Sequence, residues 1–188
     1  MTKKKLLLTS IIGIIAVAVV GVTVALLSDV TEVVENTFVF GDINIDLDET
    51  DVDNDGNTKK NTYTHVMPGV EYTKDPVVTV RENSEACYVF VKLTKTTNFD
   101  NYFTYSIADG WTALDGETDV YYRTQAATGD TAVSYHVLKD DKVTVKTSVT
   151  KNDVEAMASN HPKMTFVAYA VQSDAIDSAT AAWAEANK

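Results

Sequence analysis

From Phe38 onward apolar residues alternate, at Phe38 and Phe40 and then at Ile43, Ile45 and Leu47, with the parity reversing at Gly41-Asp42. A period of two puts one set of side chains on one face of a strand. A one-residue reversal therefore reads as a bulge, where glycine readily accepts the backbone angles. Upstream, Leu26, Leu27, Val30, Val33 and Val34 carry apolar and β-branched residues with no room for a hairpin return within 26–35. That segment can pair as a strand only with an edge elsewhere, whereas 38–47 opens the domain's own sheet.

Further β-like runs follow. Val77–Arg81 comes first, and residues 86–95 and Met164–Gln172 are apolar on both faces, as central strands are. Tyr102–Ile107, Val120–Arg123, Ala132–Leu138 and Lys142–Val149 complete the set, the last alternating at Val143, Val145, Thr147 and Val149. Pro68-Gly69, Asp109-Gly110, Asp115-Gly116 and Gly129-Asp130 sit between runs, as turns should. Only Lys151–Ser159 and Ser173–Asn187 read as helices. The first is capped by Thr150 or Asn152 and halted before Pro162, and the second sets Ile176 and Trp183 one core-facing spacing apart. About eight to ten short strands with two minor helices predict an all-β fold, a sandwich or barrel, as one domain over 36–188.

The first 27 residues form an export element. Lys3, Lys4 and Lys5 precede an apolar run, Leu6–Leu27, of 22 residues. That run is long enough to cross a bilayer, which favours a retained anchor, because signal h-regions span only about 7–15 residues. Thr23-Val24-Ala25 favours the other outcome, cleavage between Ala25 and Leu26, with residues 1–25 as signal peptide.

Charge narrows the partners. The whole chain carries −11; three of its 16 basic residues precede Ala25, so a mature chain would hold 13 against 27 acidic residues, or −14. Such a surface repels nucleic acid and anionic lipid and suits an extracellular or cation-binding protein. Contact with a membrane is expected only through an uncleaved N-terminal segment. The one cysteine, Cys87, excludes an intramolecular disulfide and reads as a buried structural thiol.

One stretch has the chemistry of a metal loop. Asp51, Asp53, Asp55, Gly56 and Asn57 give the D-x-D-x-D-G arrangement that wraps oxygen ligands round Ca²⁺. Position twelve is Thr62 rather than the bidentate glutamate, so Asp48, Glu49 or a distant carboxylate would have to complete the set. A plain solvated acidic loop is the competing reading, and calcium is the only cofactor the residues suggest. Tyr88, Phe90, Tyr102, Phe103, Tyr105, Trp111, Tyr121 and Tyr122 offer either a carbohydrate platform or, as strand aromatics usually do, core packing.

Several segments resemble the TasA/camelysin family of Gram-positive bacteria. The resemblance lies in the lysine-rich segment ending Thr23-Val24-Ala25, in Glu35–Leu47, in Met67-Pro68-Gly69-Val70-Glu71-Tyr72-Thr73-Lys74-Asp75-Pro76, in Asn83–Lys92 and, more loosely, in Ala168–Gln172. It implies export with a SipW-type signal peptide cleaved after Ala25 by a dedicated signal peptidase. It also implies a jelly-roll β-sandwich at the cell surface that builds biofilm matrix fibres with itself and other matrix proteins. In such fibres the mature N-terminus inserts as a strand into the next subunit, which would assign assembly to Leu27, Val30, Val33, Val34, Phe38 and Phe40. Camelysin-type relatives also carry a metallopeptidase label. Here His65, His136 and His161 stand isolated, with no H-E-x-x-H, no G-x-S-x-G and no Cys/His pair, so no catalytic residues are expected. A non-polymerising secreted sandwich is the third reading.

Overall fold

The computed structural model describes residues 41–188, apart from the side chains of Ala158 and Ser159. Ten strands run in the order β1 (Ile45–Asp48), β2 (Glu71–Thr73), β3 (Val77–Val80), β4 (Cys87–Lys95), β5 (Phe103–Thr104), β6 (Thr112–Ala113), β7 (Val120–Gln125), β8 (Val133–His136), β9 (Lys142–Val145) and β10 (Met164–Gln172). Three short α-helices, α1 (Phe99–Tyr102), α2 (Lys151–Ser159) and α3 (Ala179–Ala186), and one 3-10 turn at Lys139–Asp141 join them among the described residues. The strands form three sheets, ordered β1-β3-β8, β10-β4-β7-β6 and β2-β9-β5, and every ladder is antiparallel.

Strand β4 is the hub. It pairs with β10 from Met164↔Lys95 to Gln172↔Cys87 and with β7 on its other side. Its two faces bury different partners, which is why the run reads as apolar throughout. Cys87, Val89 and Val91 meet Val78 and Val80 of β3 and Val137, with Trp111 at the margin. Phe90, on the opposite face, lies beneath α3 with Trp183, whose ring centroid is 5.3 Å away. A third cluster joins Leu93 and Met164 to Phe99, Leu138 and Val143, and a fourth seats Met157 of α2 beside Val145 and Val149.

Helix α2 has the limits that its sequence predicts, set by a capping box. Thr150 Oγ1 accepts from Asp153 N at 3.3 Å, and Asp153 Oδ2 accepts from Thr150 N at 2.8 Å. Thr150→Ala removes that cap and should cost about 1 kcal/mol. An unchanged denaturant midpoint would contradict this assignment.

Four expectations need correction. The run at 102–107 begins with the helical turn α1, leaving β5 only two residues. Strand β9 stops at Val145, because Lys146 N turns to Tyr102 O and a turn closes from Lys146 O to Val149 N. The C-terminal helix starts at Ala179, where Ser178 Oγ caps Ala181 N; Ile176 precedes it in a turn yet still reaches the Trp183 cluster. Gly41 is not held at a positive φ. A Cβ there would lie 2.3 Å from Glu85 Cγ, so this glycine makes room for a neighbouring side chain.

Candidate functional site

Strands β1 and β10 each have one unpaired edge among the described residues, and these edges lie side by side. Between them runs a cleft of about 310 Å³, bordered by Ile45 and Leu47 on one side and Phe166 and Ala168 on the other. At Leu47, Lys59 and Phe166 it meets a larger groove of about 900 Å³, whose apolar lining includes Phe99, Phe103, Val143, Met157 and Met164. The far wall is the segment after β1, residues 58–66. Ile45, Leu47, Phe166, Ala168 and Ala170 turn toward the main core but remain only half-buried. Together these features make a trough with two strand edges along its sides and hydrocarbon within it.

Charge guards the mouth. Asp46 pairs with Arg81 at 2.6 Å and Asp48 with Lys59 at 2.7 Å, so the short β1 edge carries the charges that discourage chance pairing. Deeper in, Lys74 Nζ reaches both oxygens of Glu49, at 2.7 and 2.8 Å, with the two side chains only 12% and 11% exposed. Asn61 Nδ2 donates to Glu49 Oε2 at 3.2 Å and to Thr50 O at 2.9 Å, while Asn61 Oδ1 accepts from Val52 N at 2.9 Å. Tyr63 stands close by, its hydroxyl donating to Thr73 O, and burial with the nearby Glu49, Asp75 and Asp53 charges holds its pKa well above the ordinary value.

The acidic loop brings Asp51, Asp53 and Asp55 together, with one carboxylate oxygen from each within 4.8 Å of the others. Asp51 accepts from Asp55 N at 3.1 Å and Gly56 N at 2.8 Å, and Asp55 accepts from Asn57 N at 2.9 Å. Asn57 spends its side-chain oxygen on Lys59 N. Asp53 Oδ2 takes Thr62 N at 2.6 Å, and its Oδ1 is enclosed without a partner. These three carboxylates could hold a hard cation. Asp48 and Glu49 do not complete the set, being bound to Lys59 and Thr58 and to Lys74 and Asn61.

Hydrogen bonds hold three carboxyls below the ordinary carboxylate value of 3.8: Asp48 by Lys59 and Thr58, Asp53 chiefly by Thr62 N–H, and Asp153 by Thr150. A depressed folded-state pKa contributes stability above the unfolded value, and that contribution disappears as pH falls through the folded values. Replacing Asp48, Asp53 and Asp153 together with asparagine should therefore give a shallower fall of thermal midpoint below about pH 4 than the parent shows. Parallel curves would contradict this.

His65 and His161 line the large groove, whereas His136 pairs with Asp141 at 2.8 Å on the surface. Among the described residues the aspartate trio is the one group of three such ligands close enough to share an ion. Burial pushes the Cys87 thiol up to about 11, the behaviour of an inert core cysteine. All eight of the aromatics Tyr88, Phe90, Tyr102, Phe103, Tyr105, Trp111, Tyr121 and Tyr122 are buried or half-buried, and Trp111 Nε1 donates to His136 O at 2.8 Å, so they pack the interior.

The processing site Ala25-Leu26 and the assembly residues Leu27, Val30, Val33, Val34, Phe38 and Phe40 lie outside the described residues. No helix among the described residues is long and apolar enough to cross a membrane. No family model, curated protein or solved structure matches the chain.

Proposed function

We propose that this chain is a secreted structural subunit of extracellular biofilm matrix fibres, a jelly-roll-like β-sandwich of the TasA/camelysin type that polymerises by donating its mature N-terminal strand. The observation that carries this proposal is the trough between the free edges of β1 and β10, with apolar side chains along it. A donated strand would satisfy main-chain groups on those edges and bury alternate side chains, as strand addition does, once β1 and β10, whose Cα atoms approach within 8 Å, part to the roughly 10 Å that an intervening strand needs. The N-terminal sequence has a pattern that suits it. Leu26, Val30, Val34, Phe38 and Phe40 share one parity; the other carries Asp29, Thr31, Glu35 and Thr37 together with Leu27, Val33 and Val39. Such a strand can set most of its hydrocarbon into the trough and polar groups toward solvent. Glu32 falls on the apolar parity, so its carboxylate has to sit where the trough opens to water. Cleavage after Ala25 frees the donor, so signal peptidase acts as the switch for assembly outside the cell.

Two measurements address this directly. In electron microscopy the mature chain should form fibres, and a chain lacking 26–35 should remain a folded β-protein without them. A truncated chain that polymerises as readily as the parent overturns the proposal. Zinc in the purified mature chain together with casein cleavage would instead mark a camelysin-like metallopeptidase.

In the same reading Asp51, Asp53 and Asp55 hold Ca²⁺, supported by the partnerless Asp53 Oδ1. Ca²⁺ at a hundredfold excess over its Kd should stabilise the fold by about 2.7 kcal/mol, seen as a raised thermal midpoint. Equal midpoints with Ca²⁺ and with chelator leave a plain solvated loop.

A further inference from the structure

The Glu49, Asn61 and Lys74 side chains form a site with all the parts of an acyl transfer. Lys74 Nζ is a primary amine on a carboxylate, at 2.7 and 2.8 Å from Glu49. The Asn61 carboxamide is the electrophile that gives up its acyl group, and its leaving nitrogen touches the same carboxylate oxygen at 3.2 Å. Both nitrogens share Glu49 Oε2, so their separation is bounded by those two bonds. On the other side of the amide, Val52 N–H donates to Oδ1 at 2.9 Å, where negative charge would collect in a tetrahedral intermediate. The amide orientation is fixed twice over, with acceptors at its nitrogen and a donor at its oxygen. Glu49 and Lys74 are almost covered where they border the large groove, and the Phe166 ring centroid lies 5.5 Å from Nζ.

We propose that Lys74 and Asn61 join spontaneously in an intramolecular isopeptide bond, with Glu49 as proton carrier and Val52 N–H as oxyanion donor. Glu49 takes a proton from the Lys74 ammonium, and the freed lone pair attacks Asn61 Cγ. An Nζ–Cγ bond forms and the carbonyl electrons move onto Oδ1. The carbonyl then re-forms as the Cγ–Nδ2 bond breaks. Two protons leave Nζ through Glu49 and two arrive at Nδ2, so the nitrogen departs as ammonium and Glu49 ends as the carboxylate it began as. Nothing is oxidised or reduced. The product ties the segment after β1 to the junction of β2 and β3 by a bond that heat and denaturant leave intact.

The test is mass spectrometry of the secreted mature chain, denatured, against the mass calculated from its own measured N-terminus. The expected mass is lower by one ammonia, and protease digestion should yield a branched peptide joining Asn61 to Lys74. Glu49→Gln, Asn61→Ala and Lys74→Arg should each restore the calculated mass. Asn61→Asp should lose one water instead, as a carboxylic acid in place of the amide must. A wild-type chain of full calculated mass, with Asn61 and Lys74 in separate peptides, overturns the proposal, and the wild-type result stands even where a variant misfolds. A bond from Lys74 to Glu49 itself, seen as loss of water from the wild type, overturns it as well.

Discussion

Ala168→Arg should stop fibre growth, with circular dichroism showing whether the β-domain stays folded, because Ala168 also packs against the main core. Ala168 is half-buried on the β10 side of the cleft, opposite Ile45 and Leu47. An arginine there fills the space a donated strand needs, and its long stem lets the guanidinium reach water rather than be buried. The substitution leaves the N-terminal donor untouched. Such a chain can give its strand to a neighbour and accept none, so at substoichiometric amounts it should also cap wild-type fibres. Electron microscopy and sedimentation read both effects. Fibres of normal length from the pure variant would show that this trough is not the acceptor.

Phe90→Ala should cost about 3–5 kcal/mol, a large part of the stability of a domain this size. Phe90 is fully buried, between β4 and α3, and its ring meets Trp183 at 5.3 Å, Tyr122 at 6.2 Å and Tyr88 at 6.3 Å. Its removal opens a cavity under α3. The thermal midpoint should fall by about 6–20 °C, since each kcal/mol is worth roughly 2–4 °C at this size. A loss below about 1 kcal/mol would mean that α3 is not anchored there. Phe90→Leu, which keeps most of the volume, should cost far less.

Both faces of β4 were legible in the sequence because burial on both sides removes the alternation that a half-exposed strand shows. Helix α2 was legible because a capping residue at Thr150 or Asn152 starts it and Pro162 stops it, signals that depend on local bonds and sterics alone. The trough was not. Its sides belong to strands from opposite ends of the domain, and the packing of two sheets, rather than any local pattern, makes their free edges neighbours. The same holds for its apolar lining: Phe99, Val143, Met157 and Met164 come from four separate elements. Alternation at Val143–Val149 overran its strand, since a β-like pattern says nothing of the turn that Lys146 makes to reach Tyr102. Glu49, Asn61 and Lys74 form no sequence motif. Their meeting depends on the loop after β1 folding back, held by Glu49 N to Thr58 O and by Thr50 to Asp75.

Strand donation is a head-to-tail interaction, so its two ends can be disabled separately and must then complement each other. A chain lacking residues 26–35 can accept but not donate, and Ala168→Arg can donate but not accept. Each alone should sediment as a monomer. Mixed in equal amounts, they should form a one-to-one dimer that grows no further, seen by analytical ultracentrifugation. A mixture that stays monomeric, or either variant polymerising alone, would contradict strand donation through this trough.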